Sequence, residues 1–392
     1  MVCTEYPPMQ GGVGRYTHNL SLALRKIGYD VQILSNKMGN GDFSGLSPTN
    51  TDDSHILLQL VGKIKPDIVH VQYEQGMYGL VLNGLNPRKT HTNIDSFYET
   101  CKIPIVTTFH SAYTFKQWFE LVQSLKPLKP NFEKGFSSSV VAKYWTSLLN
   151  YYSFHNLNKE KLAKSKVGIV FSDYLSKMIG GGKVIYHGAE LSSSSSRVKE
   201  AARKLFNLPK SDRIALAMGF MTSTKGWDIL KEIDVPTGWS IVTNSSNNDF
   251  GRKHSNRTLT KHGIIDLKLN FLSDEYLSLL FSSADAVLLP YKVCSGSGVM
   301  FDALAHGLPF VASNLGFFKE FSDKGLGITV SRNSTAFAKA LEKLDTYYDF
   351  YKNAVDKFRW NLSWTRIAEE HRNVYRQILE RDATIIPPLA NK

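Results

Sequence analysis

Pro290-Tyr291-Lys292-Val293-Cys294-Ser295-Gly296-Ser297-Gly298-Val299-Met300-Phe301-Asp302-Ala303-Leu304-Ala305-His306-Gly307-Leu308-Pro309 decides the fold of this chain. The apolar run Ala286-Val287-Leu288-Leu289 stands before it and reads as a buried parallel strand. That strand ends at Pro290, a Ser/Gly loop follows, and a helix is predicted from Val299 to His306. Pro309-Phe310-Val311-Ala312 then reads as the next strand. Strand, loop, helix, strand is the repeating unit of a doubly wound α/β sheet. At the helix's positive end, free N–H groups around Gly298 and Val299 would point at an anion. Asp302, about one turn in, could accept hydrogen bonds from hydroxyls in the same pocket. The same residues also fit a plain helix start, with Ser297 as N-cap and Asp302 as a carboxylate favoured by the dipole.

The pattern extends in both directions. Ile214–Met218 and Trp239–Val242 read as further strands of this half. Val31–Leu34, Ile68–Val71, Ile103–Thr107, Ile169–Phe171 and Val184–Tyr186 form a second series nearer the start. A helix over Tyr16–Ile27 carries Leu20, Leu24 and Ile27 at helical spacing. Between the two series the serines at Ser192–Ser196 suit a loop or hinge, and the charged stretch Arg197–Lys204 follows them. The chain is therefore expected to be α/β, with Rossmann-like domains at 1–190 and 191–362 facing a cleft. A helical tail over 363–385 is expected to carry Ile367, His371, Val374 and Ile378 along one stripe. Ligands of such sheets bind beyond the carboxyl ends of the strands.

At 392 residues the chain suits two domains, and 42% apolar content is ordinary for a globular protein. No run of about 18 apolar residues and no basic, then apolar, leader at Met1–Pro8 predict a cytoplasmic protein. Three scattered cysteines, Cys3, Cys101 and Cys294, argue against a metal site or disulfide framework. A net charge of +12 suits an anionic partner. Lys116–Lys166 holds nine lysines against three glutamates, interleaved with Trp118, Phe119, Phe132, Phe136, Tyr144, Trp145, Tyr151, Tyr152 and Phe154. That segment reads either as a solvated basic face over an aromatic core or as a contact with acceptor or anionic membrane surface. No nucleic-acid-binding motif accompanies it.

Other motifs stand where strands end. Gly11-Gly12-Val13-Gly14 opens the first helix, where glycines admit close approach and the helix start favours negative charge. Thr17 stands where a dinucleotide fingerprint needs its third glycine, and only Met1–Thr4 remain of a preceding strand, so the start reads as truncated. Lys225, on the glycine-bounded loop Gly219–Gly226, is suited to hold a diphosphate. His110 ends the strand before Ser111 and could contact a reacting sugar or be a bonded structural residue. Period-2 alternation puts His70, Gln72 and Glu74 on one face, either reaching toward an acceptor or satisfied under cover.

Together these segments resemble the family-4, retaining GT-B glycosyltransferases over nearly the whole chain. The resemblance is carried by Glu5-Tyr6-Pro7-Pro8 with Gly11–Gly14, Pro66–Gln72, Thr108-Phe109-His110, His187-Gly188, Lys225-Gly226, Ser297 through Pro309, and Leu362-Ser363-Trp364. It implies that the first domain is the acceptor side, that the tail helix crosses back to it, and that the second domain takes a nucleotide-sugar donor. Gly12 and Gly14 would border acceptor and donor phosphate, and His110 would contact the donor sugar. Lys225 would bind the diphosphate, Gly298 and Val299 would donate N–H bonds to it beside Ser297, and Asp302 would hold the ribose. The chain departs from the family in four places. Cys294 and Asp302 stand where Glu is usual, Phe220 stands where Arg is frequent, and most of the first strand is missing.

The expected activity is transfer of a sugar to a sugar, glycolipid or other glycan acceptor, with retention and without a metal or other cofactor. Lys225 and the helix start would stabilise the leaving diphosphate. A nucleotide-sugar epimerase or an inactive nucleotide-sugar binder would use the same phosphate site. A nicotinamide dehydrogenase would rest on the glycine loop alone. The enzyme is expected to be cytoplasmic, and peripheral to the inner membrane surface if the basic aromatic segment is a membrane contact.

Overall fold

The computed structural model describes residues 1–50, 52–83, 85–125, 140–192, 195–246 and 261–385. The chain divides into two compact units. The first comprises Met1–Ala112, Ser137–Tyr186 and Trp364–Lys392, and the second Tyr113–Phe136 and His187–Ser363. Helix Phe115–Leu125 thus counts with the second unit, where Gln117 Nε2 donates to the Cys294 carbonyl at 3.3 Å. The sequence division had kept it in the first.

The first unit is built on parallel strands β1 (Leu34–Asn36), β2 (Phe43–Leu46), β3 (Val69–Tyr73), β4 (Ile105–Phe109), β5 (Val167–Val170) and β6 (Lys183–Val184). β1 begins later than its apolar run because the Ile33 N–H is taken by Asp42 Oδ2 at 2.7 Å. The N-terminal segment fills the slot between β1 and β3. Val2 forms parallel bridges to Leu34 and Val71, the Cys3 N–H donates to the Leu34 carbonyl at 3.0 Å, and the Gln72 N–H to that of Val2 at 3.0 Å. Four residues therefore do the pairing of a strand that the sequence alone makes look almost absent. The order is β2-β1-(Met1–Thr4)-β3-β4-β5-β6. It reverses direction between the N-terminal segment and β3.

The opening helix, Gly12–Lys26, buries Tyr16, Leu20 and Leu24. The tail helix, Trp364–Ile385, packs on it and buries the predicted stripe Ile367, His371, Val374 and Ile378. Spacing of three and four residues puts these four on one helix face.

The second unit has one six-stranded parallel sheet: β7 (Arg213–Phe220), β8 (Trp239–Ser246), β9 (Ile264–Asp266), β10 (Ala286–Leu289), β11 (Phe310–Ser313) and β12 (Gly327–Val330). Its order is β12-β11-β10-β7-β8-β9 and reverses between β7 and β10. Ala215, Ile241, Leu288 and Val311 of the strands pack against Leu230, Phe337 and Leu341 of the helices. Each such large side chain contributes roughly 1.5–3 kcal/mol on burial.

The charged stretch Arg197–Lys204, for which the sequence reading named no element, is helical. Helix Ser196–Leu205 is capped by Ser195, whose hydroxyl accepts from the Val198 N–H at 3.3 Å. Arg203 is buried, pairs with Asp285 at 2.7 Å, and donates to the carbonyls of Pro209, Lys210 and Asp212. Ser193 and Ser194 lie outside the described residues.

In the basic aromatic segment, Trp118 and Phe154 are buried, whereas Tyr144, Trp145 and Tyr152 of helix Val140–Lys164 are exposed. Lys161 is buried against Asp95 at 2.8 Å. Lys126, Lys129, Phe132, Lys134 and Phe136 lie outside the described residues. Among the described residues no helix is long and apolar enough to cross a membrane.

Candidate active site

In the second unit the candidate residues lie at the reversal of strand order. The loop after β7 carries Lys225, and the loop after β10 leads into helix Gly298–Ala305. Ligands of doubly wound sheets settle at this position. The two loops are joined by the Lys292 N–H, which donates to the Thr224 carbonyl at 2.8 Å. Gly226 has φ +82°, and a Cβ there would overlap the Pro290 carbonyl. The Lys225-Gly226 pair is therefore fixed by backbone shape on one side and close packing on the other.

Lys225 Nζ stands 3.9 Å from the centroid of the Tyr291 ring. Among the described residues it forms no ion pair, so its charge is held by an aromatic face. The neighbouring Cys294 thiol is buried and donates to the Gly296 carbonyl at 3.4 Å. Burial pushes its pKa up to about 12 against a smaller opposing pull from the Lys225 charge. Cys294 is thus a neutral thiol with no acceptor strength comparable to a carboxylate. Phe220 stacks on Phe271 at 6.4 Å and 14°, which places an aromatic pair, not a cation, beside Gly219.

The Gly298 helix begins as the sequence pattern requires. Ser297 is extended, and its hydroxyl accepts from the Met300 N–H at 3.2 Å. The N–H groups of Gly298 and Val299 lie outside the intrahelical ladder. Asp302 is buried on the same helix. Beside Gly298 lies His187, quoted above without a role. Its Nδ1 meets the Gly188 carbonyl at 2.7 Å, its ring stacks on Phe301 at 5.7 Å and 7°, and its Nε2 would sit 3.5 Å from a Cβ on Gly298. The Nδ1–H bond leaves Nε2 as the acceptor. Its position just before Gly188 was the only sequence signal for it.

In the first unit His110 follows β4, half-buried. Tyr16 and Phe171 present ring edges to it at 5.4 and 5.1 Å, and its Nε2 meets Gln72 Oε1 at 2.9 Å. Gly12 is exposed, with open space where a Cβ would stand. Gly14 is not open: its N–H donates to Glu5 Oε1 at 2.9 Å. A Cβ on Gly11 would overlap the same carboxyl group. The opening helix thus carries the chain's own anion on its positive end, a contact that sequence reading missed. Of the His70, Gln72 and Glu74 face, His70 and Gln72 are buried and bonded. Burial raises the Glu74 carboxyl pKa, with Ser111 and the Gly76 N–H pulling it down. Among the described residues no three of His, Cys, Asp and Glu stand close enough to hold a metal ion.

Residues 10–142 match the family described as Glycosyltransferase Family 4, and residues 251–346 match Glycosyl transferases group 1. The chain is a glycosyltransferase. An uncharacterized glycosyltransferase of Methanocaldococcus jannaschii is 22% identical to the transferase over 97% of this chain and 98% of its own. Among solved structures, sucrose-phosphate synthase from Thermosynechococcus elongatus superposes with a TM-score of 0.68 at 15% identity, over 97% of this chain and 98% of that one. Anabaena HepE in complex with UDP-glucose superposes at 0.61 and 13% identity, over 98% and 99%. These likenesses show that the transferase has the GT-B fold.

Proposed function

We propose that the transferase moves a sugar from a nucleoside diphosphate sugar to a sugar, glycolipid or other glycan acceptor, with retention of the anomeric configuration. One observation carries this reading. The second unit's switch point offers a lysine that forms no ion pair among the described residues and an uncharged helix start, the combination a diphosphate needs. Lys225 and the N–H groups of Gly298 and Val299 would hold the diphosphate, with Ser297 shaping that start and Asp302 taking ribose hydroxyls. His110 would meet the donor sugar, and Gly12 would border the acceptor. The bond from the anomeric carbon to the diphosphate oxygen breaks, and the diphosphate leaves with the electron pair. The acceptor oxygen bonds to the same carbon from the same face and passes its proton to a departing phosphate oxygen. Positive groups fixed beforehand stabilise the leaving charge, and the proposal includes no resident metal.

Thermal-shift measurements against UDP, GDP, ADP and their sugar conjugates test the reading. A ligand at about 100 times its Kd stabilises by ~2.7 kcal/mol. A shift with one nucleotide, lost in Lys225→Ala, is expected. No shift with any of them in folded protein would overturn it. Product NMR should show the donor's anomeric configuration; the inverted anomer would refute retention.

Cys294 favours a second reading, a protein that binds nucleotide sugar without turnover. A neutral buried thiol cannot accept sugar hydroxyls as a carboxylate does. Binding without product over the acceptor classes named would select it. The exposed Tyr144, Trp145 and Tyr152 support a further proposal, peripheral contact with an anionic membrane surface. Failure to sediment with phosphatidylserine vesicles at low salt would dismiss it.

A further inference from the structure

Under the first unit's candidate residues runs a chain of buried polar side chains that the proposed chemistry does not use. Tyr375 of the tail helix meets His70 Nδ1 at 2.6 Å, and Thr108 meets His70 Nε2 at 2.7 Å. The Gln72 amide nitrogen lies 3.4 Å from the same Nε2, and the Gln72 carbonyl oxygen lies 2.9 Å from His110 Nε2. Register holds the parts: Gln72 pairs with Thr108 across β3 and β4, and the His110 N–H donates to the Tyr73 carbonyl at 3.0 Å. His70, Gln72 and Thr108 are all buried, so each polar atom must find a partner inside.

We propose that Gln72 is a positioning residue for His110, holding its ring with Nε2 protonated and Nδ1 as the acceptor for a sugar hydroxyl. The role of that hydroxyl bond rests on the reading above that His110 meets the donor sugar; the ring state itself does not. The hydrogen bonds run in one consistent direction. Burial keeps His70 neutral, so it has one donor and one acceptor nitrogen. The Gln72 amide nitrogen only donates and faces His70 Nε2, so Nε2 accepts there and from the Thr108 hydroxyl, and Nδ1–H donates to the Tyr375 hydroxyl. With its nitrogen on His70, the same amide presents its carbonyl oxygen to His110 Nε2. A carbonyl only accepts, so His110 must donate from Nε2. The tail helix thereby reaches His110 through two side chains.

The test is NMR of protein labelled with ¹⁵N in the histidine rings, with the His110 signals identified by their loss in His110→Asn. The wild type is expected to show Nε2 protonated and Nδ1 unprotonated. Gln72→Leu should mix the two tautomers, and Gln72→Glu, which still accepts, should keep the wild-type one. Should Gln72→Leu fail to fold, Gln72→Asn keeps the buried amide but withdraws the carbonyl, and should also mix them. With the nucleotide sugar that shifts wild-type melting most, Gln72→Leu or Gln72→Asn should lower kcat on the order of tenfold or more, with nucleotide Kd unchanged. A wild-type His110 protonated at Nδ1, or the same tautomer in wild type and Gln72→Asn, overturns the proposal. Absence of any nucleotide shift would instead count against the donor reading and leave the ring measurement standing.

Discussion

The two units solve the same local problem in opposite ways. Each has a parallel sheet whose strand order reverses once, and each has a glycine-containing helix start beyond that reversal. In the first unit the helix start is filled by the Glu5 carboxylate, which accepts from the Gly14 N–H. In the second the cap is the neutral Ser297 hydroxyl, and Lys225 has no carboxylate partner among the described residues. A helix N-terminus is equivalent to roughly half a positive charge. An internal carboxylate cancels that attraction, and a serine leaves it available. Two similar glycine motifs therefore have different electrostatics, which is why the diphosphate is proposed at the second.

The largest effect expected from this contrast is at Lys225. Lys225→Ala should cost on the order of 10²–10³ in kcat/KM, as removal of a fixed positive group at a developing charge does. Steady-state kinetics check it, and a loss below about threefold would place the phosphate elsewhere. Next comes Gly11→Ala, which forces a methyl group into the Glu5 carboxyl. It should destabilise the fold by ~1–3 kcal/mol in denaturant titration while nucleotide affinity stays within about twofold. Glu5→Gln should leave affinity equally unmoved. Tighter binding in Glu5→Gln would mean that the first unit competes for the phosphate and would break the contrast.

A smaller effect separates the units by pH. Burial lowers the His70 pKa well below its usual value and that of His371 to about 4, both in the first unit. The unfolded chain, with histidine near 6.5, then binds more protons than the folded one between about pH 4 and 6.5. Stability is full above that window and falls as pH drops through it. Melting temperature should decline from pH 7 to pH 5, and His371→Leu should flatten the decline. An identical slope in the variant would remove His371 from the account.

How much was legible follows from what sets each feature. β10 lies where its apolar run was, because Pro290 and the Ser/Gly loop bound it, and the Gly298 helix starts one residue before the expected Val299. The tail stripe was legible because helical spacing alone selects its buried face. Helix Ser196–Leu205 was missed because serines serve both loops and N-caps, and only the Arg203 pairing with Asp285, far along the chain, decides between them. The Gln72–His110 contact needed the register of β3 against β4, which no local pattern carries. Glu5 was quoted only as part of a motif. Its contact with Gly14 depends on the path of the loop between them, not on its composition.

The most direct measurement is calorimetric titration of Ser297→Asp beside the wild type, using whichever of UDP, GDP and ADP shifts wild-type melting most. Aspartate caps a helix as well as serine does, so the fold should melt no lower. It would also give the second unit the internal anion that Glu5 gives the first. Nucleotide affinity should weaken roughly tenfold or more, about 1.4 kcal/mol or above. Unchanged affinity in a fully folded Ser297→Asp protein would contradict it, because the diphosphate would then not lie at the Gly298 helix start.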